Sequence, residues 1–412
     1  MNTTRPTLAE LMHSVGSSRW PSRWEDIYEG VMEDYETRGC PLTDPDYYDV
    51  LDEKYDMFAE FKEDYKSAAA ELAEDDNLCR VLALICASMK DRKNISADIA
   101  SLELPRSPDG SYHKKYEMLT ALAMCCMADY TYSLLSERPI PEEHIRYGMR
   151  LCEEMVRTYK ARNEGRAGAM SWDWYQLAID AKLYRICRLD IELDVGFTPF
   201  ATVLRSKDGQ NIALAEGAAF DRYGYMLGSA GHTDGEGAVC ASIEETDDSY
   251  IGYPYGRYGA ISPEKVKLSK KEWKKIIEPH DYVVGLHIPP HYPMTDDLID
   301  KSFKEAKEFM AKYYPEVDYK GFVCASWLMD DQLCDLLGED KNIPKFCKRF
   351  SKIAMKSAGR SVFSFVFLKP DVNNVNYDQL EEDTTLKRIL KRHFLDGKHI
   401  YECYGYIPRE DI

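Results

Sequence analysis

The most constraining stretch of this chain runs from Asp281 to Phe350. It opens on a short apolar run, Tyr282 to Ile288 (YVVGLHI), closed by Pro289 and Pro290. Proline lacks the N–H that a sheet ladder uses, so the run predicts a buried strand that stops there. Thr295 then stands at an N-cap position, and Asp296 and Asp297 suit the positive end of a helix dipole. Leu298, Ile299, Phe303, Ala306 and Phe309 form one apolar stripe at helical spacing. Pro315 ends that helix, Gly321 to Met329 (GFVCASWLM) predicts a second strand, and Asp330 starts a further helix with Leu333, Leu336 and Leu337 inward. A helical crossover between two apolar strands is the signature of parallel pairing, and in open sheets ligands collect at the carboxyl ends of such strands. His287, Thr295 and Ser326 are therefore expected near one rim.

Around this stretch the pattern changes once. Residues 1–170 read as a helical domain, with apolar residues three and four apart in Trp24 to Tyr35, Asp44 to Tyr65, Asn77 to Met89, Lys114 to Leu135 and Pro141 to Tyr159. Arg162 to Met170 (RNEGRAGAM) is small and polar and reads as a linker. Residues 171–412 read as a second domain with a mixed sheet flanked by helices, which makes the fold class α+β. Its first helix is Trp172 to Leu183 and its first strand Tyr184 to Leu193, while Asp208-Gly209 marks a hairpin between Ala201 to Arg205 and Ile212 to Phe220. Val239 to Glu245, Val362 to Leu368 and His399 to Ile407 are further expected strands. Ser269 and Glu272 suggest a capping box on a short basic helix, KKEWKKII, and Leu386 to Phe394 suggests a second basic helix.

A formal net charge of -18 over 412 residues argues against a nucleic-acid partner, because that affinity comes mostly from Lys and Arg on phosphates. The 12 cysteines are scattered through apolar runs with no C-x-x-C pair, and are expected to be reduced. MNTTRPTLAEL lacks the pattern of a secretory leader, and no apolar run is long enough to span a bilayer, so no membrane role and a cytoplasmic location are expected.

LHIPPHYPMT at Leu286 to Thr295, the helix after it, FVCASWLMDDQL at Phe322 to Leu333 and the NIPKF and KRF segments ending at Phe350 resemble the C-terminal domain of GNAT-like bacterial two-domain acyltransferases, whose N-terminal domain is helical. The likeness runs from Trp172 to Phe350, and over the first 170 residues only helical character matches. It implies acyl transfer from acyl-CoA or acetyl-CoA to an amine acceptor without a metal. It also places His287 and Ser326 as catalytic candidates and Ile288, Thr295 and Trp327 against the acyl donor. Two departures stand out. HIPPHYPMT replaces the Gly-rich Q/R-x-x-G-x-G/A loop that ordinarily holds the pyrophosphate, and Ala325 stands where a His is expected before the Ser-Trp pair.

Each candidate also has a plainer reading. His287 is a general base or a group that orients the thioester, or a satisfied structural histidine. His287 and His291 are four apart, but the two prolines forbid the helix that would align them on a metal. Ser326 and Cys324 share one strand face while Ala325 and Trp327 share the other, and a nucleophile there has only His287 for a base. Arg162 to Ala167 matches Q/R-x-x-G-x-G/A without a preceding strand. Gly228 to Gly237 (GSAGHTDGEG) is a hairpin connection or a phosphate cradle. An acyl-CoA-dependent N-acyltransferase leads. A catalytically inactive module of the same fold, binding a ligand or a protein, is the alternative.

Overall fold

The computed structural model describes residues 5–91, 101–106, 114–169, 172–198, 200–290, 292–369 and 371–412. Its chain clusters into two compact units, one through Tyr184 and one from Arg185 onward. Among the described residues no strand precedes Leu183, and no helix is long and apolar enough to cross a membrane.

The first unit is built from α1 (Leu8–Ser14), α2 (Trp24–Arg38), α3 (Tyr47–Tyr55), α4 (Lys62–Ala73), α5 (Asp76–Asp91), α6 (Leu119–Met124), α7 (Ala128–Leu135), α8 (Glu142–Arg162) and α9 (Trp172–Ile179). The helix expected over Asp44 to Tyr65 is broken in two for a local reason. Asp56 ends α3 in the left-handed region at φ 52°, and the backbone N–H of Phe58 turns to Asp52 Oδ1 at 3.0 Å. The next three N–H groups, of Ala59, Glu60 and Phe61, all donate to the buried Glu153 of α8 at 2.6 to 2.9 Å. A remote carboxylate thus takes up the donors of the turn that leads into α4, as far as its N-cap Phe61.

The second unit is ordered around a six-stranded sheet. Its strands are β1 (Leu183–Ile186), β2 (Leu189–Gly196), β11 (Tyr282–His287), β12 (Gly321–Ser326), β13 (Ser351–Ala354) and β14 (Cys403–Pro408), in the order β1-β2-β11-β12-β14-β13. A second sheet orders β10 (Trp273–Ile277), β3 (Ala201–Ser206) and β4 (Asn211–Ala215), and the β3–β4 hairpin turns at the expected Asp208-Gly209. Short ladders join β5 (Ala219–Phe220) to β6 (Val239–Cys240), and β7 (Glu244–Glu245) to β8 (Ser249–Gly252) and β9 (Val266–Ser269). Helices α10 (Asp296–Tyr313), α11 (Gln332–Leu337), α12 (Asn342–Cys347), α13 (Ser361–Phe365) and α14 (Thr385–Leu395) complete the unit.

β11 and β12 pair parallel, as the crossover predicts, and both faces of the sheet there are covered. Phe303 of α10 meets Phe322 at 6.1 Å on one face, whereas Val283, Val323, Tyr404 and Tyr406 on the other pack with Val203, Ala213 and Ile277 of the second sheet. Burial on both sides is why the two runs read as continuously apolar.

Several elements differ from the sequence reading. The basic helix KKEWKKII is strand instead. Ser269 Oγ accepts from Lys271 N–H in a turn, and Trp273 to Ile277 then pair with β3, where Ile277 buries fully. So short a helix nucleates poorly, and sheet pairing wins. Val362 to Leu368 is not a strand: Val362 to Phe365 lie in the short helix α13 and a turn follows, with Phe363 and Phe367 both packing on Phe394 at 4.7 and 6.4 Å. Tyr184 to Leu193 divides at Cys187 (φ 53°) into β1 and β2. Val239 to Glu245 keeps only two-residue strands at its ends, and the last strand starts at Cys403, four residues later than expected.

Candidate active site

The parallel ladder between β11 and β12 is short. Val284 pairs with Phe322 and Gly285 with Val323, and the pairing stops there although both strands run on. Leu286 and His287 keep their partners Ile191 and Asp190 in β2, while Cys324, Ala325 and Ser326 keep Gly405, Tyr404 and Cys403 in β14. Each strand end is held by its outer neighbour, so a wedge opens between them at the carboxyl ends.

His287 stands at that wedge, half-buried, with Nε2 2.7 Å from Glu192 Oε2. Glu192 lies opposite Gly285, where a Cβ would come within 3.0 Å of the Glu192 Cβ, so the glycine leaves the room the carboxylate needs to reach along its own face to His287. Alternation fixes the rest. Gly285, His287, Val323 and Ala325 share one face of the sheet, and Ser326 points to the other with Phe322 and Cys324. His287 and Ser326 thus share a rim but not a face, and the structure does not bring their side chains together. Ser326 Oγ accepts from the Leu328 N–H at 3.1 Å and caps the turn that buries Trp327. Its face-mate Cys324 is fully enclosed, and burial pushes that thiol up to about 12. Ile288 follows β11 half-buried, Thr295 is the exposed N-cap of α10 without a side-chain cap bond, and His291 lies outside the described residues.

Three features had no clear mark in the sequence. The first is Arg188, in the turn between β1 and β2. Its backbone N–H donates to Ser302 Oγ at 2.9 Å and its Nε to the carbonyl of Pro293 at 2.9 Å, which sets the guanidinium beside the N-terminus of α10. The residue is buried, its Nη1 has no hydrogen-bond partner among the described residues, and burial pulls its pKa down. The second is Glu192. The third is a cluster of Asp221, His232 and Tyr401, in which His232 Nδ1 lies 2.7 Å from Asp221 Oδ2 and Nε2 lies 3.0 Å from Tyr401 Oη. Only the histidine in a Gly-rich loop hinted at it, since its partners are 11 and 169 residues away.

Asp331, Cys334 and Cys347 bring one oxygen and two sulfurs within 4.8 Å of one another. A cation is already built into that cluster: Lys352, buried, donates to the carbonyls of Cys347 and Phe350 at 2.6 and 2.8 Å and lies 3.2 Å from Asp331 Oδ1.

The model of the family described as the GNAT-like C-terminal domain matches residues 183–407, more than half of the chain. The chain belongs to this family. No curated protein sequence matches the GNAT-like chain. Among solved structures it is similar over its whole length to an acyltransferase in complex with decanoyl-CoA and teicoplanin, at 16% identity and a TM-score of 0.58, covering 97% of this chain and 98% of that one. An acyltransferase mutant in complex with octanoyl-CoA is similar at 17% identity and a TM-score of 0.59, with the same coverage. An acyltransferase in complex with CoA and 10C-teicoplanin gives 17% and 0.59. At these identities the likeness shows a shared fold, helical region included.

Proposed function

We propose that this GNAT-like protein is an acyl-CoA-dependent acyltransferase that passes an acyl group from the thioester to an amine. The observation that carries the reading is the wedge beyond Gly285 and Val323, where two parallel strands part at the rim that binds ligands in open sheets. The similar acyltransferases seen with acyl-CoA support it. Backbone groups that each strand turns toward the gap are free of cross-ladder bonds, which suits a ligand that adds its own amide groups between the strands.

The donor would lie along β11 with its phosphates toward the start of α10. The glycine loop that ordinarily cradles pyrophosphate is absent, and Arg188 supplies what that loop would: a cationic donor with an unmatched Nη1 beside the first turn of a long helix. Asp296 in that turn is neutralised by Lys345 and Arg349 at 3.1 and 3.0 Å, so it does not oppose an anion. His287, its ring set by Glu192, would hold the thioester carbonyl in line on the face away from α10, from which the amine would approach. Isothermal titration with decanoyl-CoA, with CoA and with pantetheine tests the reading. Binding of the first two is expected, with release of free thiol from decanoyl-CoA on adding an amine. No binding of any acyl-CoA would overturn it.

A further inference from the structure

The cluster past the open ends of β12 and β14 is built as a proton relay. Asp221 is immobilised: its Oδ1 accepts from the backbone N–H groups of Tyr223 and Tyr225 at 2.9 and 3.0 Å, leaving Oδ2 for His232 Nδ1. The imidazole is stacked on Tyr225 with ring centroids 4.1 Å apart. Tyr401 is fixed from the opposite side, where its N–H donates to the fully buried Asp330 at 2.8 Å. That aspartate follows the turn that ends β12, and Tyr401 precedes the residue pair Cys403–Ser326 by two positions, so the cluster lies past the carboxyl end of β12, on its β14 side. The loop carrying His232 closes over it through Gly231, whose φ of 75° favours glycine and whose Cβ position lies 3.4 Å from the His399 ring.

Proton accounting defines what the cluster does. An ionised carboxylate only accepts, so His232 Nδ1 carries a proton toward Asp221, and in the neutral ring Nε2 is then an acceptor. The Tyr401 hydroxyl has one proton and two acceptors within 3.0 Å, His232 Nε2 and the carbonyl of Ala230. It can therefore pass that proton to Nε2 while taking another on its oxygen. Burial pushes the Tyr401 hydroxyl well above its ordinary pKa, so it does not ionise unaided and works only as an intermediary.

We infer that His232 is the proton acceptor for the attacking amine, reached through Tyr401, with Asp221 as the positioning residue. The inference rests on the acyl-transfer reading above. As the amine nitrogen bonds to the thioester carbon, the C–S bond breaks and CoA leaves as thiolate. The amine proton moves to Tyr401 Oη, the Tyr401 proton moves to His232 Nε2, and the imidazolium is held by Asp221 until it returns the proton to solvent, from which the thiolate is protonated. The other titratable groups packed around the relay are Tyr225, His399 and Asp330.

The test uses the full chain with decanoyl-CoA as donor and hydroxylamine as probe acceptor, following free thiol. His232→Gln and Tyr401→Phe should lower kcat about a hundredfold or more, as expected for a positioned base, with decanoyl-CoA affinity unchanged. Added imidazole should restore turnover in His232→Ala. Wild-type turnover in His232→Gln would overturn the inference. So would loss of decanoyl-CoA binding in step with turnover, which marks a structural role. A wild-type chain that binds no acyl-CoA overturns the acyltransferase reading and this inference together, whereas one that turns over with His232 dispensable overturns the inference alone.

Discussion

Gly285 and Val323 are the last pair joined by the parallel ladder at the centre of the sheet, and His287 and Ser326 lie beyond them. Two residues further along β11, His287 meets Glu192 on one face, while three further along β12, Ser326 caps its own turn on the other. Proximity along a rim therefore separates two residues that the sequence suggests as a pair. They should respond oppositely to mutation. His287→Gln and Glu192→Gln are expected to lower turnover about tenfold or more, because carbonyl-directed groups act mainly in the transition state. Their partly exposed pair contributes about 1 kcal/mol or less to stability. Ser326→Ala should retain turnover and lose about 1 kcal/mol as a capping residue does. Steady-state kinetics beside thermal melting of the three variants checks both halves.

Arg188 gives a second contrast. An arginine buried with an Nη1 that has no partner among the described residues is costly in the free protein, so Arg188→Met should keep or raise the melting temperature. The same change should weaken CoA binding about tenfold, a loss of about 1.4 kcal/mol, and leave pantetheine binding untouched. Titrations with the two ligands separate phosphate recognition from pantetheine recognition. Equal affinity of variant and wild type for CoA would remove Arg188 from the donor site.

What the sequence made legible followed from periodicity. The Tyr282 to Ile288 and Gly321 to Met329 runs are buried on both faces and bounded by prolines or acidic residues, so strand, helix and strand could be read in order, together with the parallel pairing. The all-helical start was visible for the same reason. Elements were misread where local pattern is ambiguous. VFSFVFL satisfies either period, and only the Phe394 ring decides for a helix. KKEWKKII carries helical charge spacing, yet Leu204 and Arg205 of β3 offer it a ladder. The site was legible as a rim and not as a set of contacts. His287 stands out in the sequence while its partner Glu192, 95 residues away, does not, and no spacing rule links Asp221, His232 and Tyr401.

The helical unit has its own test in Glu153. Its carboxylate accepts three backbone N–H groups in the turn before α4, and a charge-assisted bond is worth roughly 1.5–3 kcal/mol where its loss leaves a buried donor, as at Phe61. Glu153→Ala is expected to cost about 3 kcal/mol or more, and Glu153→Gln clearly less, since its amide oxygen still accepts while its NH2 faces a donor. Denaturant unfolding followed by far-ultraviolet circular dichroism measures both. A Glu153→Ala variant with wild-type midpoint would show that water replaces the carboxylate without cost.

Asp330 makes the stability of the second unit depend on pH. Burial raises its carboxyl from 3.8 to about 6, against the opposing pull of N–H groups from Tyr401 and Gln332. With the folded value above the unfolded one, the native state binds the proton more tightly. Its contribution is thus full below about 4 and is lost as pH rises through about 6. A shift from 3.8 to about 6 corresponds to about 3 kcal/mol at most. Asp330→Asn cannot titrate, so the wild type should gain stability relative to this variant as pH is lowered from 7 to 4.5, most steeply at about 5, midway between the unfolded and folded values. Unfolding free energies of both proteins across that range decide it. A constant difference between them would mean that Asp330 titrates alike in the folded and unfolded chains, and that burial does not hold the proton on it.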